Sequence, residues 1–361
     1  MSPVTRWRRP LLACLASGAL VVGACDGCRR APTPAPDGGA TGATGAAGPA
    51  SLPAERTATL FGGERGMDHV GVAVPDLEAA ARTYQDVLGF TRPQTGRLPN
   101  GIRNVNFYFA DATYLELLTH YDRGKATWLA DFTDTHSGAL FLVLSAYSAE
   151  ATASFLAPRG LRISKPVSGT IQTAADQAMP EEKWKTFAYE KSPLPGDPLY
   201  FIAYHRPGRE AYLAKLQDRR VRRLLYHDNT ALGLKAVWLA VDDLPRATQA
   251  FVAAGFTPGR TFTEPRLHAN GQVIEAGEGA IHLLSSATAD GEVAAFLRRR
   301  GGPGLMGVTI EAGSASAAGR LIGERARRTF TPAAGLLGPS VLIPPDLAHG
   351  LWLELAELPV R

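Results

Sequence analysis

The fold is decided by residues 67–77, which read Met67-Asp68-His69-Val70-Gly71-Val72-Ala73-Val74-Pro75-Asp76-Leu77. Apolar residues dominate this stretch until proline stops it, so it predicts a β-strand. Asp76 stands where a helix N-cap is expected, and apolar residues then recur at helical spacing as far as Leu88. Two strands are predicted after the helix, over Asn104–Ala110 and Thr113–His120. The pattern is that of one βαβββ unit.

The same unit recurs in the second half of the chain. Its predicted strands are Leu234–Val241, Gln272–Ala276 and Ala280–Ser285, and Asp243 is the expected helix cap. Both helices end in Gly-Phe-Thr, at residues 89–91 and 255–257. The matched caps and ends indicate an internal repeat, and a repeat usually dictates the architecture.

Two weaker copies complete the pattern. The first has a strand, a helix and a closing strand over Ala139–Ala146, Ser148–Gly160 and Leu199–Tyr204. The second has a strand over Met306–Ile310, a helix from Ser314, and strands near Val341 and over Leu351–Leu355. Four βαβββ units are therefore predicted, in an α+β fold.

These motifs resemble the glyoxalase/bleomycin-resistance/dioxygenase (vicinal oxygen chelate) superfamily, and within it the glyoxalase-like domain. The resemblance rests on Asp68-His69-Val70 through Leu77, on Leu88-Gly89-Phe90 and on Tyr114-Leu115-Glu116-Leu117. It implies that modules pair into two cupped, eight-stranded domains with a site inside each cup. We expect these domains at residues 64–207 and 229–361, joined by a linker at 208–228 with a helix over Arg209–Tyr226.

The resemblance also implies a divalent metal, bound by side chains from the first and last strand of each module. In the first cup the ligands that the resemblance implies are His69 and Glu116. Alternation gives each of them one face of its strand, and the family's strand pairing would bring the two faces together inside the cup. The second module is expected to place Phe141 and Phe201 at the equivalent positions, and neither binds metal. A catalytic metal generally needs three protein ligands. His69 and Glu116 are thus either a metal site or a hydrogen-bonded pair retained without metal.

The second cup shows a similar deficit of ligands. Its last-strand positions carry His282 and Glu354, whereas its first-strand positions carry Ala236 and one of Leu305, Met306 or Gly307. Two ligands again leave most of the coordination to water.

Two functions remain open from the sequence. The first is a binding protein that captures a small molecule in the cup, with Asn106, Tyr114, Phe141 and Phe201 as contact residues. The second is a metal-dependent lyase, isomerase or dioxygenase that uses His69 and Glu116. An interaction module of the cell envelope is a third, structural alternative.

The amino terminus predicts export and lipid anchoring in a bacterium. Basic residues precede a 12-residue apolar run from Leu11 to Val22, which suits a signal peptide and is too short to span a bilayer. The following Val22-Gly23-Ala24-Cys25 resembles the bacterial lipobox, so residues 1–24 are expected to be removed and Cys25 lipidated. Residues 25–63, rich in Ala, Gly, Pro and Thr, are expected to form a disordered tether.

Charge and cysteine content exclude several classes of function. Removing residues 1–24 leaves 35 basic against 34 acidic side chains, so no basic surface for nucleic acid is predicted. All three cysteines precede residue 29, which excludes a disulfide framework, a cysteine nucleophile or a thiolate metal site in the folded domains. The expected partners are a small molecule and, through the lipid anchor, a membrane.

Overall fold

The computed structural model describes residues 52–91, 93–169, 183–206, 210, 213, 214, 216–223 and 225–359. They form two mixed sheets of eight strands each, with α-helices packed on both faces. The strands of the first sheet are β1 Gly66–Ala73, β2 Gln94–Arg97, β3 Ile102–Tyr108, β4 Tyr114–His120, β5 Gly138–Ser145, β6 Val167–Gly169, β7 Trp184–Phe187 and β8 Leu199–Tyr204. Those of the second are β9 Ala231–Ala240, β10 Thr257–Glu264, β11 Ala269–Ala276, β12 Gly279–Ser286, β13 Gly304–Ala312, β14 Ala333–Ala334, β15 Pro339–Ile343 and β16 Trp352–Ala356.

Eight α-helices are described alongside these strands. They are α1 Ala54–Thr57, α2 Leu77–Arg82, α3 Thr127–Thr133, α4 Ala149–Leu156, α5 Arg219–Arg223, α6 Leu244–Ala253, α7 Glu292–Arg300 and α8 Ala315–Ala326. A π-helical turn, Thr83–Val87, continues α2. Within the described residues no helix is long and apolar enough to cross a membrane.

The two sheets have the same strand order, which confirms the four predicted βαβββ modules. The first runs β2-β3-β4-β1-β5-β8-β7-β6 and the second β10-β11-β12-β9-β13-β16-β15-β14. In each module the first strand pairs parallel with the last, and the two first strands pair antiparallel at the centre. The first and last strands of both modules therefore line the middle of each cup.

The four major helices begin at matching caps. The side chain of Asp76 accepts a hydrogen bond from the amide of Ala79, and Ser148, Asp243 and Ser314 do the same for the amide three residues on. Each cap satisfies an amide that has no partner within the helix. The predicted helix starts are confirmed at all four sites.

The sequence did not locate the outer strand that follows the helix in each module. β10 is exposed along most of its length, and β2 is buried at none of its positions. An edge strand without a buried face carries no alternation of apolar and polar residues, so its sequence resembles a loop.

The tether predicted over residues 25–63 is too long at its carboxyl end. Helix α1 precedes Leu60, which is only 3% exposed, and the carbonyl of Leu60 accepts a hydrogen bond from Thr152 on α4. These contacts make the last part of that range belong to the folded domain. The predicted signal peptide, Cys25 and the tether up to residue 51 lie outside the described residues.

One continuous apolar core lies between the two sheets, on the faces that carry α2, α4, α6 and α8. It includes Val70 and Leu144 of the first sheet and Leu239 and Val308 of the second. The two domains also meet through the hydroxyl of Tyr84, which donates to the carbonyl of Ala348 at 3.2 Å. The opposite face of each sheet forms a cup with its own apolar cluster.

Candidate functional site

The polar centre of the first cup begins at an irregularity in β1. The pairing of β1 with β5 shifts register between Met67 and His69, so Asp68 is an extra residue in the strand. Asp68 and His69 are consecutive, yet they are joined by 2.7 Å between Oδ1 and Nδ1, and both are buried. The hydroxyl of Tyr204 on β8 donates to the same Asp68 oxygen at 3.0 Å. The irregularity thus lets two neighbouring residues contribute to one site.

Glu116 approaches the other side of the imidazole, as the sequence predicted. Its Oε2 lies 3.7 Å from Nε2 of His69, and its Oε1 accepts a hydrogen bond of 2.5 Å from the side-chain amide of Asn104. The ring of Tyr114 stacks on His69, with centroids 4.2 Å apart. His69 is therefore held between two carboxylates and against an aromatic ring.

Phe141 fills the second module's half of this cup. Its ring occupies the space where Gly71 has no side chain, since a Cβ on Gly71 would lie 2.2 Å from the ring. The ring also meets His69 edge-on, with centroids 6.3 Å apart. The position equivalent to His69 is thus apolar, as expected.

The sequence assigned the wrong residue of β8 to the cup. Phe201 stacks on Phe187 in the core under the helices, on the far side of the sheet. Tyr200 faces the cup instead: it pairs in register with Val143, just as Glu116 pairs with Gly71. A shift of one residue exchanges the two faces of a strand. The helix starts alone could not set this register.

Asn106 and Tyr114, the other predicted contact residues, both lie buried in the cup. The amide of Asn106 donates to the hydroxyl of Tyr108 at 3.3 Å. The hydroxyl of Tyr114 is buried and has no hydrogen-bond partner among the residues described. Burial, together with the nearby Tyr204 and Asp68, raises the pKa of Tyr114 well above its usual value, so it stays a neutral donor.

In the second cup an arginine lies against the predicted ligand Glu354. Oε1 of Glu354 accepts hydrogen bonds of 2.6 Å from Arg266 and from Ser340, and Oε2 accepts one of 2.7 Å from Thr309. Arg266 also forms two side-chain hydrogen bonds with Glu264. The guanidinium of Arg266 therefore places a positive charge beside Glu354, at the position where the family resemblance implies a metal ion.

The remaining positions of the second cup do not complete a ligand set. On β13, Gly307 stands at the first-strand position where a metal ligand would be expected. The ring of Trp238 fills the space beside it, 2.6 Å from where a Cβ of residue 307 would stand. His282 is buried against Phe262, and burial lowers its pKa to about 3. No hydrogen bond or ion pair joins His282 to Glu354 within the described structure.

These residues do not fit the metal centre that the resemblance implies. Among the described residues no group of three or more His, Cys, Asp or Glu is placed to hold an ion. In the first cup Glu116 accepts a hydrogen bond from Asn104, and Phe141 stands at the second module's position equivalent to His69. In the second cup Arg266 bonds directly to Glu354. The fold therefore retains the family's positions without its complete ligand set.

Sequence reasoning missed Asp68, Tyr200, Tyr204 and Arg266. Strict alternation puts Asp68 and His69 on opposite faces, and only pairing with β5 reveals the extra residue. Arg266 belongs to a short 3₁₀ turn, Pro265–Leu267, far from Glu354 in sequence. No local pattern connects it to the cup.

Comparison with known proteins agrees with this architecture. The family model for the glyoxalase-like domain matches residues 67–255, just over half of the chain. A hypothetical protein from Staphylococcus aureus aligns over 81% of this chain and 98% of its own, at 12% identity and a TM-score of 0.53. A mutant of 4-hydroxymandelate synthase from Streptomyces coelicolor aligns over 81% and 92%, at 12% identity and a TM-score of 0.52.

Shorter matches cover only part of the chain. Methylmalonyl-CoA epimerase from Mycobacterium tuberculosis aligns over 36% of this chain and 91% of its own, with 21% identity and a TM-score of 0.33. No curated protein sequence matches. At these identities the structures support the fold alone. From the family match and the paired eight-stranded cups, the chain belongs to the glyoxalase-like domain family of the vicinal oxygen chelate superfamily.

Proposed function

We propose that this protein binds a small molecule in its first cup and is held at the bacterial cell envelope by a lipid on Cys25. The binding part of the proposal rests on the cup, and the anchoring part rests on the sequence before residue 29. Neither part requires a catalytic metal.

The observation that carries the binding proposal is the hydroxyl of Tyr114. It is buried in the cup without a hydrogen-bond partner among the described residues, as are the carbonyl oxygen of Asn106 and the indole N–H of Trp184. A buried polar group left unpaired costs about 1–3 kcal/mol, and a native protein retains few of them. A bound molecule with a hydrogen-bonding group would satisfy the hydroxyl of Tyr114.

The rest of the cup indicates the chemistry of such a ligand. Its apolar cluster contains Trp128 from α3, Phe141 and Trp184. Asn106, Tyr114 and the His69–Glu116 pair supply buried polar groups to the same cup, and Phe141 meets His69 edge-on. A small ligand with an apolar body and a polar group suits this mixed lining, which is common in small-molecule sites.

Binding of phenol and of toluene tests this proposal, because the two share a ring and differ in the hydroxyl. Calorimetry on the chain without residues 1–24 should show tighter binding of phenol than of toluene. Tyr114→Phe should weaken phenol binding about tenfold, the effect of losing one hydrogen bond. Tyr226→Phe, at an exposed tyrosine, serves as the control. Equal phenol affinity in Tyr114→Phe and the unmodified protein would contradict the proposal.

A metal-dependent lyase, isomerase or dioxygenase is the second candidate, and one contact favours it. Asp68 orients His69 through Nδ1 and directs Nε2 at Glu116, an arrangement typical of histidines that bind metal. Metal analysis of the purified protein separates the candidates. About one tightly bound transition metal per chain, lost in His69→Ala, would support this second function over the first.

Lipid anchoring has an independent test. Cys25→Ala should abolish labelling by a fatty-acid probe and release the protein from the membrane fraction, whereas Cys28→Ala should leave both unchanged. Continued labelling of Cys25→Ala would exclude anchoring at that residue. This result would not affect the binding proposal, since the cup lies entirely after residue 63.

A further inference from the structure

A cleft of about 620 Å³ lies between the two domains, outside both cups. The first domain contributes the segment around His136 and the start of β5. The second contributes the end of α7, Leu305 of β13 and the turn around His349. Its volume falls within the range of small-molecule sites.

The side chain of Arg300 crosses this cleft from one domain to the other. It leaves the last turn of α7 in the second domain, and its guanidinium lies 4.3 Å from the ring centroid of Phe132 on α3 of the first. Within the described part of the chain it forms no ion pair with a carboxylate. Burial lowers the pKa of Arg300 to about 10, without an opposing contribution from any acid. It remains charged at neutral pH, and within the described residues only the face of the Phe132 ring, and no carboxylate, contacts that charge.

The other charged groups around the cleft make it positive. Arg299 also lines the cleft, while Nε2 of His136 lies 3.2 Å from its carbonyl oxygen. Asp346 is the one acidic residue of the described lining, and Arg328 pairs with it at 2.6 Å. Nε2 of His349 lies 3.0 Å from the hydroxyl of Thr83, and burial lowers the pKa of this imidazole.

Basic residues are common at helix ends, where they interact favourably with the helix dipole and are solvated. Arg298, in the same turn, shows that ordinary arrangement: it is exposed and donates to the carbonyl of Ala289 at 2.8 Å. Arg300 differs because it is turned inward, partly desolvated and held against an aromatic ring. Desolvating a cation is costly without a compensating charge.

We propose that the interdomain cleft binds a small anionic molecule through Arg300 and Arg299. The anionic group is a carboxylate or a phosphate, because the planar guanidinium of arginine pairs with both in bidentate geometry. The body of the ligand lies in the cleft between His136 and Pro345. This site is separate from the first cup, so its occupancy does not depend on the binding proposed there.

The experiment measures binding of inorganic phosphate, succinate and citrate to the chain without residues 1–24, by calorimetry at fixed ionic strength set with sodium chloride. We expect saturable binding with about one site per chain. Arg300→Met, which keeps an unbranched side chain over Phe132 but removes the charge, should weaken it at least tenfold. Arg298→Met removes an equal charge from the same turn outside the cleft and should retain the affinity within twofold.

A substitute variant and a comparison of the three anions complete the test. If Arg300→Met does not give a native circular dichroism spectrum, Arg300→Lys replaces it, and loss of the bidentate fork should still weaken binding severalfold. A preference for phosphate over the carboxylates, or the reverse, identifies the group bound. The proposal is overturned if none of the three anions binds above the chloride background. Equal weakening by Arg298→Met and Arg300→Met would also overturn it.

Discussion

His227 is a neutral histidine held by two backbone groups. Its Nδ1 accepts a hydrogen bond from the amide of Thr91 at 2.8 Å, and Nε2 lies 3.1 Å from the carbonyl oxygen of Tyr108, to which it donates. Burial lowers its pKa from 6.5 to about 4. Protonation would place a hydrogen on Nδ1, which faces the N–H donor of Thr91, so the charged form does not suit the site.

This geometry predicts a pH-dependent stability. Because the folded pKa lies below the unfolded one, the stabilisation is complete above pH 6.5 and is lost as pH falls through about 4. The loss is about 3 kcal/mol at one pKa unit per 1.36 kcal/mol. Urea denaturation at several pH values should show a smaller acid loss in His227→Gln than in the unmodified protein. His205→Gln, at an exposed histidine, should keep the full loss; equal losses in all three proteins would refute the prediction.

Arg266 is the second residue whose role is set by its partners. It bridges Glu264 and the buried Glu354, which is 2% exposed. Removing one member of a buried ion pair leaves a charge uncompensated, at a cost of about 3–5 kcal/mol. We expect Arg266→Met to lower the free energy of unfolding by that order.

The pair itself can be tested by a double substitution. Arg266→Met combined with Glu354→Gln should be more stable than Arg266→Met alone, since the buried charge is then gone. Arg260→Met, at a neighbouring exposed arginine, is the control. If the double variant is less stable than the single one by the full cost of Glu354→Gln, the two side chains are not coupled.

At the scale of the elements, each module depends on one helix cap. Four equivalent caps satisfy the first turn of the four major helices. Since Asp243 caps α6 by accepting a hydrogen bond from the amide of Arg246, Asp243→Ala should destabilise the protein by about 1 kcal/mol. Asp242→Ala removes the adjacent exposed carboxylate, which does not cap the helix, and should change stability little. Equal effects of both substitutions on the urea midpoint would argue against the cap.

Strand pairing explains why the two cups differ despite their common design. In the first cup Gly71 makes room for Phe141, and in the second Gly307 makes room for Trp238. In both cups a glycine on one central strand thus accommodates an aromatic ring from the other central strand. The glycine belongs to the first module of the first cup but to the second module of the second cup. Polar contacts then differ as well, with His69 between two carboxylates in one cup and Arg266 beside Glu354 in the other.

At the scale of the whole molecule, the two domains share their core. Buried side chains of both sheets belong to a single apolar cluster, and Lys235 of the second domain pairs with Asp111 of the first at 3.0 Å. Separating the two domains would expose apolar surface of this core to water, which is unfavourable. Each domain therefore depends on the other to bury its core.

This sharing predicts one cooperative unfolding transition. Calorimetry on the chain without residues 1–24 should give a single peak, with equal calorimetric and van't Hoff enthalpies. Two resolved peaks would show that the domains unfold independently. Leu144→Ala in the shared core should lower the midpoint of the whole peak, since its cost of about 2–5 kcal/mol falls on both domains.

Much of the fold could be predicted from the sequence, because its signals are local. The strand at residues 67–74, the capping residues Asp76 and Asp243 and the repeated Gly-Phe-Thr each depend on neighbours within a few positions. Glu116 could be placed beside His69 through the resemblance to the glyoxalase-like family, because alternation gives the face of each strand but not how the strands pair. The outer strand β10 could not be located from the sequence, because an exposed strand at the edge of a sheet has no apolar pattern.

What the sequence determined by itself is therefore the four modules and the α+β class, whereas the polar pair His69 and Glu116 followed from the resemblance to the family. Tertiary structure alone decided that Asp68 joins His69, that Tyr200 and not Phe201 faces the cup, and that Arg266 reaches Glu354. The physical reason is that periodicity reports which side chains share a face of one element. Register, strand irregularities and contacts between distant turns depend on how the elements pair, and that is settled only when the sheets and their shared core form together.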